Sequence, residues 1–259
     1  MAFVDVAVRD HVAEISLVRV EAHNALSTAM MAELGRACAT VVEDPTVRVA
    51  VLGSADPAMF CVGADLKERA SLDLDGFMAQ RTQFQQTFSA VRDLPMPTIA
   101  AVHGFALGGG FELALSCDLI VGDDTTVVGL PEVGLGIVPG GGGTQLVARR
   151  AGSAVAADLL FTARRVGIDE AERLRLVDRR AGSARTGAQE LAAGIAANAP
   201  IAVRQAKHAL RVGLADGLDA GLAAEDHAWR TAIAHPQRAE GVAAFVEKRP
   251  PVWPSELRL

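Results

Sequence analysis

Tyrosine is absent from this 259-residue sequence, and the other aromatics are few: nine Phe and two Trp. Such a chain lacks the usual stacking platforms for single-stranded nucleic acid. Positive charge is also short, with 25 Lys and Arg against 31 Asp and Glu, and a net charge of −6 argues against a general nucleic-acid binder. Cysteine occurs only at Cys38, Cys61 and Cys117, an odd number with no CxxC pair. That excludes a disulfide framework and points to reduced, buried thiols in the cytoplasm. The N-terminus carries charges every few residues and no apolar h-region, so no signal peptide is expected. The longest charge-free run, Leu94 to Phe111, contains two Pro, four Gly and a His and leads straight into Glu112. It reads as strand, turn and helix rather than as a membrane span.

What is present is apolar and rich in glycine. Half of the residues are hydrophobic, which excludes disorder, and the length suits one large domain. Ten of the 25 glycines fall in two windows, 104–110 and 134–143. Alternating apolar residues at each side of Arg9-Asp10-His11 predict a strand pair. Ser27 to Glu43 has helical spacing behind a Ser cap, and 47–52, 98–102, 118–121 and 126–129 read as strands. A Gln-rich helix is expected over 73–92, and shorter ones over 111–117 and 144–150. Beyond about Ala188 strand signals vanish, and helices are expected over 189–198, 201–212, 218–234 and 238–248. The pattern is a layered α/β domain with a helical tail.

Two segments could carry chemistry. In His103 to Glu112, three successive glycines between a strand and a helix leave backbone N–H groups free to bind an anion or a developing oxyanion. Glu112 follows one helical turn later. Tight packing with a helix-dipole glutamate is the plainer alternative. In the second segment, Glu132 follows Pro131 and is the only charge between Val127 and Arg149. Burial there raises a carboxyl pKa, as a general acid requires. Two such carboxylates could hold a water, one accepting a proton and the other donating one. The six His show no metal-ligand spacing, and no GxSxG or GxxxxGK[ST] occurs. No metal site, triad or P-loop is expected.

The sequence resembles the crotonase superfamily, the enoyl-CoA hydratase/isomerase family. The likeness rests on Asn24-Ala25-Leu26, Phe60 to Lys67, Gly104 to Asp118, Leu130-Pro131-Glu132, Pro139 to Gln145 and Glu240 to Arg249, in family order over nearly the whole chain. It implies an α/β spiral of repeated ββα units over 1–190, with a C-terminal helical region over 191–259 that forms a trimer and covers the active site. By resemblance, the N–H groups of Ala64 and Gly109 hold the thioester oxygen. Glu112 handles the water that adds at C3, and Glu132 the proton at C2.

The resemblance further implies CoA contacts at Ala22, Asn24, Val62, Asp65, Leu66, Lys67 and Lys248. It implies an acyl pocket that draws on Phe111, Pro131, Gly134, Trp229 and Phe245. For both lysines a solvated surface charge is the plain alternative, and for Trp229 and Phe245 core packing. Carrying both glutamates favours a hydratase that adds water syn to a trans-2-enoyl-CoA. The alternatives are a Δ3,Δ2-enoyl-CoA isomerase or another acyl-CoA lyase of the superfamily, or a non-catalytic CoA- or RNA-binding member. No cofactor is expected, because CoA is part of the substrate. The expected partners are acyl-CoA and copies of the chain in a homotrimer or homohexamer, with neither nucleic acid nor membrane. Departures from the family pattern are Arg19-Val20, the bulky Phe111 and Arg164-Arg165, which receives no role. A site of backbone N–H groups and carboxylates has little need of aromatic side chains.

Overall fold

The computed structural model describes residues 2–254; Met1 and 255–259, the ends of the two expected ranges, lie outside the described residues. The chain opens with a hairpin of β1 (Val4–Arg9) and β2 (Val12–Leu17), paired from Val4–Leu17 to Arg9–Val12. Asp10 and His11 both take positive φ, the geometry that a two-residue hairpin turn of matching twist requires. Helix α1 (Thr28–Glu43) follows, capped by Ser27, whose hydroxyl accepts the Met30 N–H. Its Met30, Met31, Leu34, Ala37, Cys38 and Val41 form one buried stripe.

The crossover through α1 delivers β3 (Val49–Ser54) parallel to β2. Short α2 (Leu66–Arg69) and long α3 (Leu74–Arg92) lead to β4 (Thr98–Val102), again parallel. From here the chain alternates between two sheets. β5 (Phe105–Leu107), α4 (Gly109–Leu115), β6 (Leu119–Gly122) and β7 (Val127–Gly129) precede α5 (Gly143–Ala151) and α6 (Ser153–Thr162). Then come β8 (Arg165–Gly167), α7 (Ile168–Arg173) and β9 (Arg179–Arg180). The first sheet has the order β1-β2-β3-β4-β6-β9 and the second β5-β7-β8. Single parallel bridges from Leu26 to Ala64 and from Cys61 to Ala106 extend the second layer. The units β4-β5-α4 and β6-β7-α5 each send one strand to each layer before a helix, the ββα repeat of the expected spiral, whereas β1 and β2 both stay in the first sheet.

The charge-free 94–111 run becomes β4, β5 and the start of α4. Among the described residues no helix is long and apolar enough to cross a membrane. Sequence spacing missed β5, β8, β9, α6 and α7. The three strands have at most three residues each, too few to show a period.

Four helices close the chain: α8 (Ala184–Ala196), α9 (Pro200–Asp216), α10 (Leu218–Ala234) and α11 (Gln237–Glu247). The boundary at 190/191 falls inside α8. Ala184, Ala188, Ala192 and Ala196 recur every fourth residue, and the last three pack with Val49, Val51, Ile99 and Val121 of the first sheet. Small side chains let the helix approach the sheet closely. Arg48 ties the start of β3 to the carbonyls of Ala196 and Pro254.

Lys207 anchors α9. It is buried, and Nζ donates to the Met96 carbonyl (2.8 Å) and to Asp118 Oδ2 (2.6 Å). The same oxygen accepts from the Thr98 N–H and hydroxyl. Burial favours neutral lysine, and the Asp118 charge opposes that. Asp118 is partly exposed and keeps its Thr98 donors, so removing Lys207 forfeits charge-assisted hydrogen bonds without stranding a buried charge. Lys207→Ala is therefore expected to cost about 1.5–3 kcal/mol, read as a lower midpoint in urea unfolding; an unchanged midpoint would contradict this anchoring role.

Candidate active site

The glycine windows converge on the two glutamates. At Gly108 the chain takes φ +52°, and a Cβ there would stand 3.0 Å from Glu132 Oε1. At Gly110 a Cβ would come within 2.2 Å of the Cys61 carbonyl, so only glycine lets α4 begin against the 60–64 segment. This contact sets the backbone nitrogens of Ala64 and Gly109 side by side: a Cβ on Gly109 would lie 3.8 Å from Ala64 N. The Leu26–Ala64 bridge is made through the Leu26 N–H and carbonyl, with Gly63 O and Asp65 N as partners. The Ala64 N–H thus stays out of the ladder. Gly109 is the first residue of α4, where N–H groups have no intrahelical acceptor. Both residues line a cleft of about 950 Å³, together with Glu112 and Glu132.

Glu112 is 3% exposed. Its Oε1 accepts the N–H groups of Gly141 (2.7 Å) and Gly143 (2.8 Å). The second glycine window therefore wraps the first glutamate. Burial pushes the Glu112 carboxyl above its usual range, and the N–H groups of the 140–143 turn pull it back.

Glu132 opens a 3-10 turn, Glu132–Leu135, and is 9% exposed. Its Oε2 is buried without a hydrogen-bond partner. Burial raises its pKa from 4.5 to about 7, with a further push from the Glu112 charge and an opposing pull from Arg69. The two carboxyls are thus prepared differently: the glycine turn supplies donors to Glu112, whereas one oxygen of Glu132 is buried without a partner. Such a pair can serve as base and acid.

Of the other expected contacts, Val62, Leu66 and Pro131 line the cleft. Asn24 does not offer its side chain: it is fully buried, accepts the Arg19 N–H and donates to Ser54 Oγ and the Phe60 carbonyl. Asp65 caps α2 and pairs with Arg19 at 2.7 Å. The backbone N–H and carbonyl of Ala22 are used inside the 19–25 turn. These three residues hold the loop through the protein groups they contact. Lys67 and Lys248 are exposed and lie off the cleft wall.

Phe111 is 0% exposed and belongs to the core, so its bulk shapes no pocket. Gly134 lies off the cleft wall, and its neighbours Val133 and Leu135 line it instead. Trp229 and Phe245 are 61% and 85% exposed in the single chain, in neither the cleft nor the core.

The cleft also holds residues that the sequence reading missed. Phe77, Phe84, Phe88 and Phe105 line it, so aromatics do build this site. The first three lie at helical spacing on α3, a signal present in the Gln-rich segment. Arg69, Arg81 and Arg165 line it as well, and Arg165 stacks on Phe105 at 5.4 Å. Nothing local marked these arginines.

Paired carboxylates beside two free N–H groups can move protons next to a carbonyl whose oxygen gains charge. The family model for enoyl-CoA hydratase/isomerase matches residues 8–256. YngF of Bacillus subtilis is 43% identical over 246 residues, covering 94% of this chain and 95% of its own. The mitochondrial methylglutaconyl-CoA hydratase of Mus musculus is 37% identical, covering 93% of this chain and 79% of its own. The crystal structure of an enoyl-CoA hydratase from Bacillus anthracis superposes with a TM-score of 0.95 at 39% identity, covering 98% of this chain and all of its own. The chain belongs to the enoyl-CoA hydratase/isomerase family, of crotonase fold.

A carboxyl whose pKa is higher folded than unfolded stabilises the fold below its unfolded pKa, and that stability is lost as pH rises through the folded value. For Glu132 the window runs from about 4.5 to about 7. Glu132→Gln carries no such charge, so its stability relative to the parent should rise by up to about 3 kcal/mol between pH 4.5 and 8. Thermal melts at both pH values check this, and a constant difference would contradict the burial of an ionisable Glu132.

Proposed function

We propose that this protein is a 2-enoyl-CoA hydratase that adds water reversibly, and syn, across the C2–C3 double bond of a trans-2-enoyl-CoA. The observation that carries this reading is the unequal preparation of Glu112 and Glu132 on one cleft. Ala64 and Gly109 would donate their N–H groups to the thioester oxygen and stabilise the enolate charge. Each such donor is typically worth ~3–4 kcal/mol in the transition state. Glu112, with Oε1 held by the glycine turn, would use its other oxygen to orient a water and take its proton as the oxygen attacks C3. Glu132, protonated up to about pH 7, would hand its proton to C2. Dehydration runs the same steps backwards. The chain itself supplies the acid, the base and the oxyanion donors, so the reading needs no cofactor beyond the CoA of the substrate.

Crotonyl-CoA hydration by the purified protein tests this directly. Glu112→Gln and Glu132→Gln should each lower kcat by about 10²–10⁴-fold. The parent's rate of hydration should fall as pH rises past 7, because Glu132 then lacks the proton it must give. Undiminished turnover in both variants would overturn the mechanism. A parent that shifts a Δ3 double bond but hydrates nothing would be an isomerase instead.

The helical tail supports a trimer or hexamer. Leu210, Leu214, Leu218, Leu222, Trp229, Phe245 and Val246 are all more than half exposed on α9 to α11. An apolar surface of this extent marks an interface. Light scattering should give three or six times the chain mass; a monomer at micromolar concentration would contradict it. Three buried thiols, together with the likeness to a bacterial relative, support a cytoplasmic location.

A further inference from the structure

We propose that Arg69 is a carboxylate clamp, selecting CoA thioesters whose acyl chain carries a second carboxylate at its far end. This rests on the acyl-CoA reading above and concerns the part of the cleft that α2 and α3 enclose.

Arg69 is held as a built anion site is held. Its Nε donates to Gln80 Oε1 at 2.9 Å. Gln80 is itself buried, with Nε2 donating to Thr28 Oγ1 and Glu68 Oε2. The guanidinium carbon stands 5.0 Å from the Phe77 ring centre and 5.5 Å from that of Phe84. One edge of the guanidinium is therefore tied and its faces are covered by rings. Among the described residues, its two terminal nitrogens donate to no protein group and form no ion pair. They remain a planar fork on the cleft wall, the geometry that matches a carboxylate.

The charge around it points the same way. Among the described residues the cleft is lined by Arg69, Arg81 and Arg165, and by the carboxylates of Glu112 and Glu132. Neither glutamate comes within salt-bridge distance of Arg69, although both act on it through space, as does Glu68 behind Gln80. Partial burial among phenylalanines disfavours the charged form of Arg69. A hydrocarbon chain gives no return on that cost, whereas an incoming carboxylate gives a charge-assisted, bidentate partner.

The test compares two saturated, unreactive thioesters by calorimetry: glutaryl-CoA, which ends in a carboxylate, and butyryl-CoA, which ends in a methyl. The parent should bind glutaryl-CoA at least about tenfold more tightly. Arg69→Gln should abolish that preference and leave butyryl-CoA affinity within about twofold. Arg69→Lys, which keeps the charge but loses the fork, should restore only part of it. Equal affinities in the parent, or a preference that survives Arg69→Gln, would overturn the clamp. So would a parallel loss for both thioesters, which would place Arg69 on the CoA portion they share. Binding of neither thioester by the parent would overturn the acyl-CoA reading itself, and the clamp with it. Crotonyl-CoA turnover without glutaryl-CoA preference would leave that reading standing and remove only the clamp.

Discussion

The rest of the structure depends on the burial of the Glu112 carboxylate against backbone N–H groups. A carboxylate taken out of water costs several kcal/mol unless donors replace the lost hydration. Here the donors are the Gly141 and Gly143 N–H groups, both on one oxygen. A Cβ at Gly143 would press on that oxygen and one at Gly141 would collide with the Phe88 ring. The turn is therefore glycine because the carboxylate and the ring occupy the space. The opposing window is glycine because α4 must start against the 60–64 segment. Both close approaches require the strands on either side to lie in register, which the alternating spiral provides.

Glu132 is the counterpart of this arrangement. It shares the cleft but not the donors, so it takes up protons near neutral pH. Two residues of one type, twenty positions apart, thereby acquire different chemistry from their surroundings alone. Arg69 adds a third charge at a fixed point. Its orientation comes from Gln80 and its cover from two rings, so α3 serves as wall and as brace at once.

Much of the fold was legible before any coordinates. Helix α1 and its Ser27 cap, strand β4, helix α10 and the Gln-rich α3 fall where propensity and periodicity put them. Local chemistry suffices there, because a cap or an apolar stripe is read within one turn of chain. Strands β5, β8 and β9 were not legible, since their stability comes from pairing with residues far along the chain. Phe111 was misread for a related reason. Its position beside Glu112 suggested the pocket, but successive residues on a helix point about 100° apart, and Phe111 faces the core.

What the sequence determined by itself was the chemistry in hand: two lone carboxylates in apolar glycine-rich segments, the family, and a helical tail. The tertiary structure alone decided how those groups are used. It assigned the second glycine window to Glu112, turned Asn24 and Asp65 inward as loop braces, and put Arg69 and three α3 phenylalanines on the cleft wall. The physical reason is that a buried polar group takes whichever partner the fold brings within about 3 Å. That partner can lie thirty residues away, where no local pattern records it.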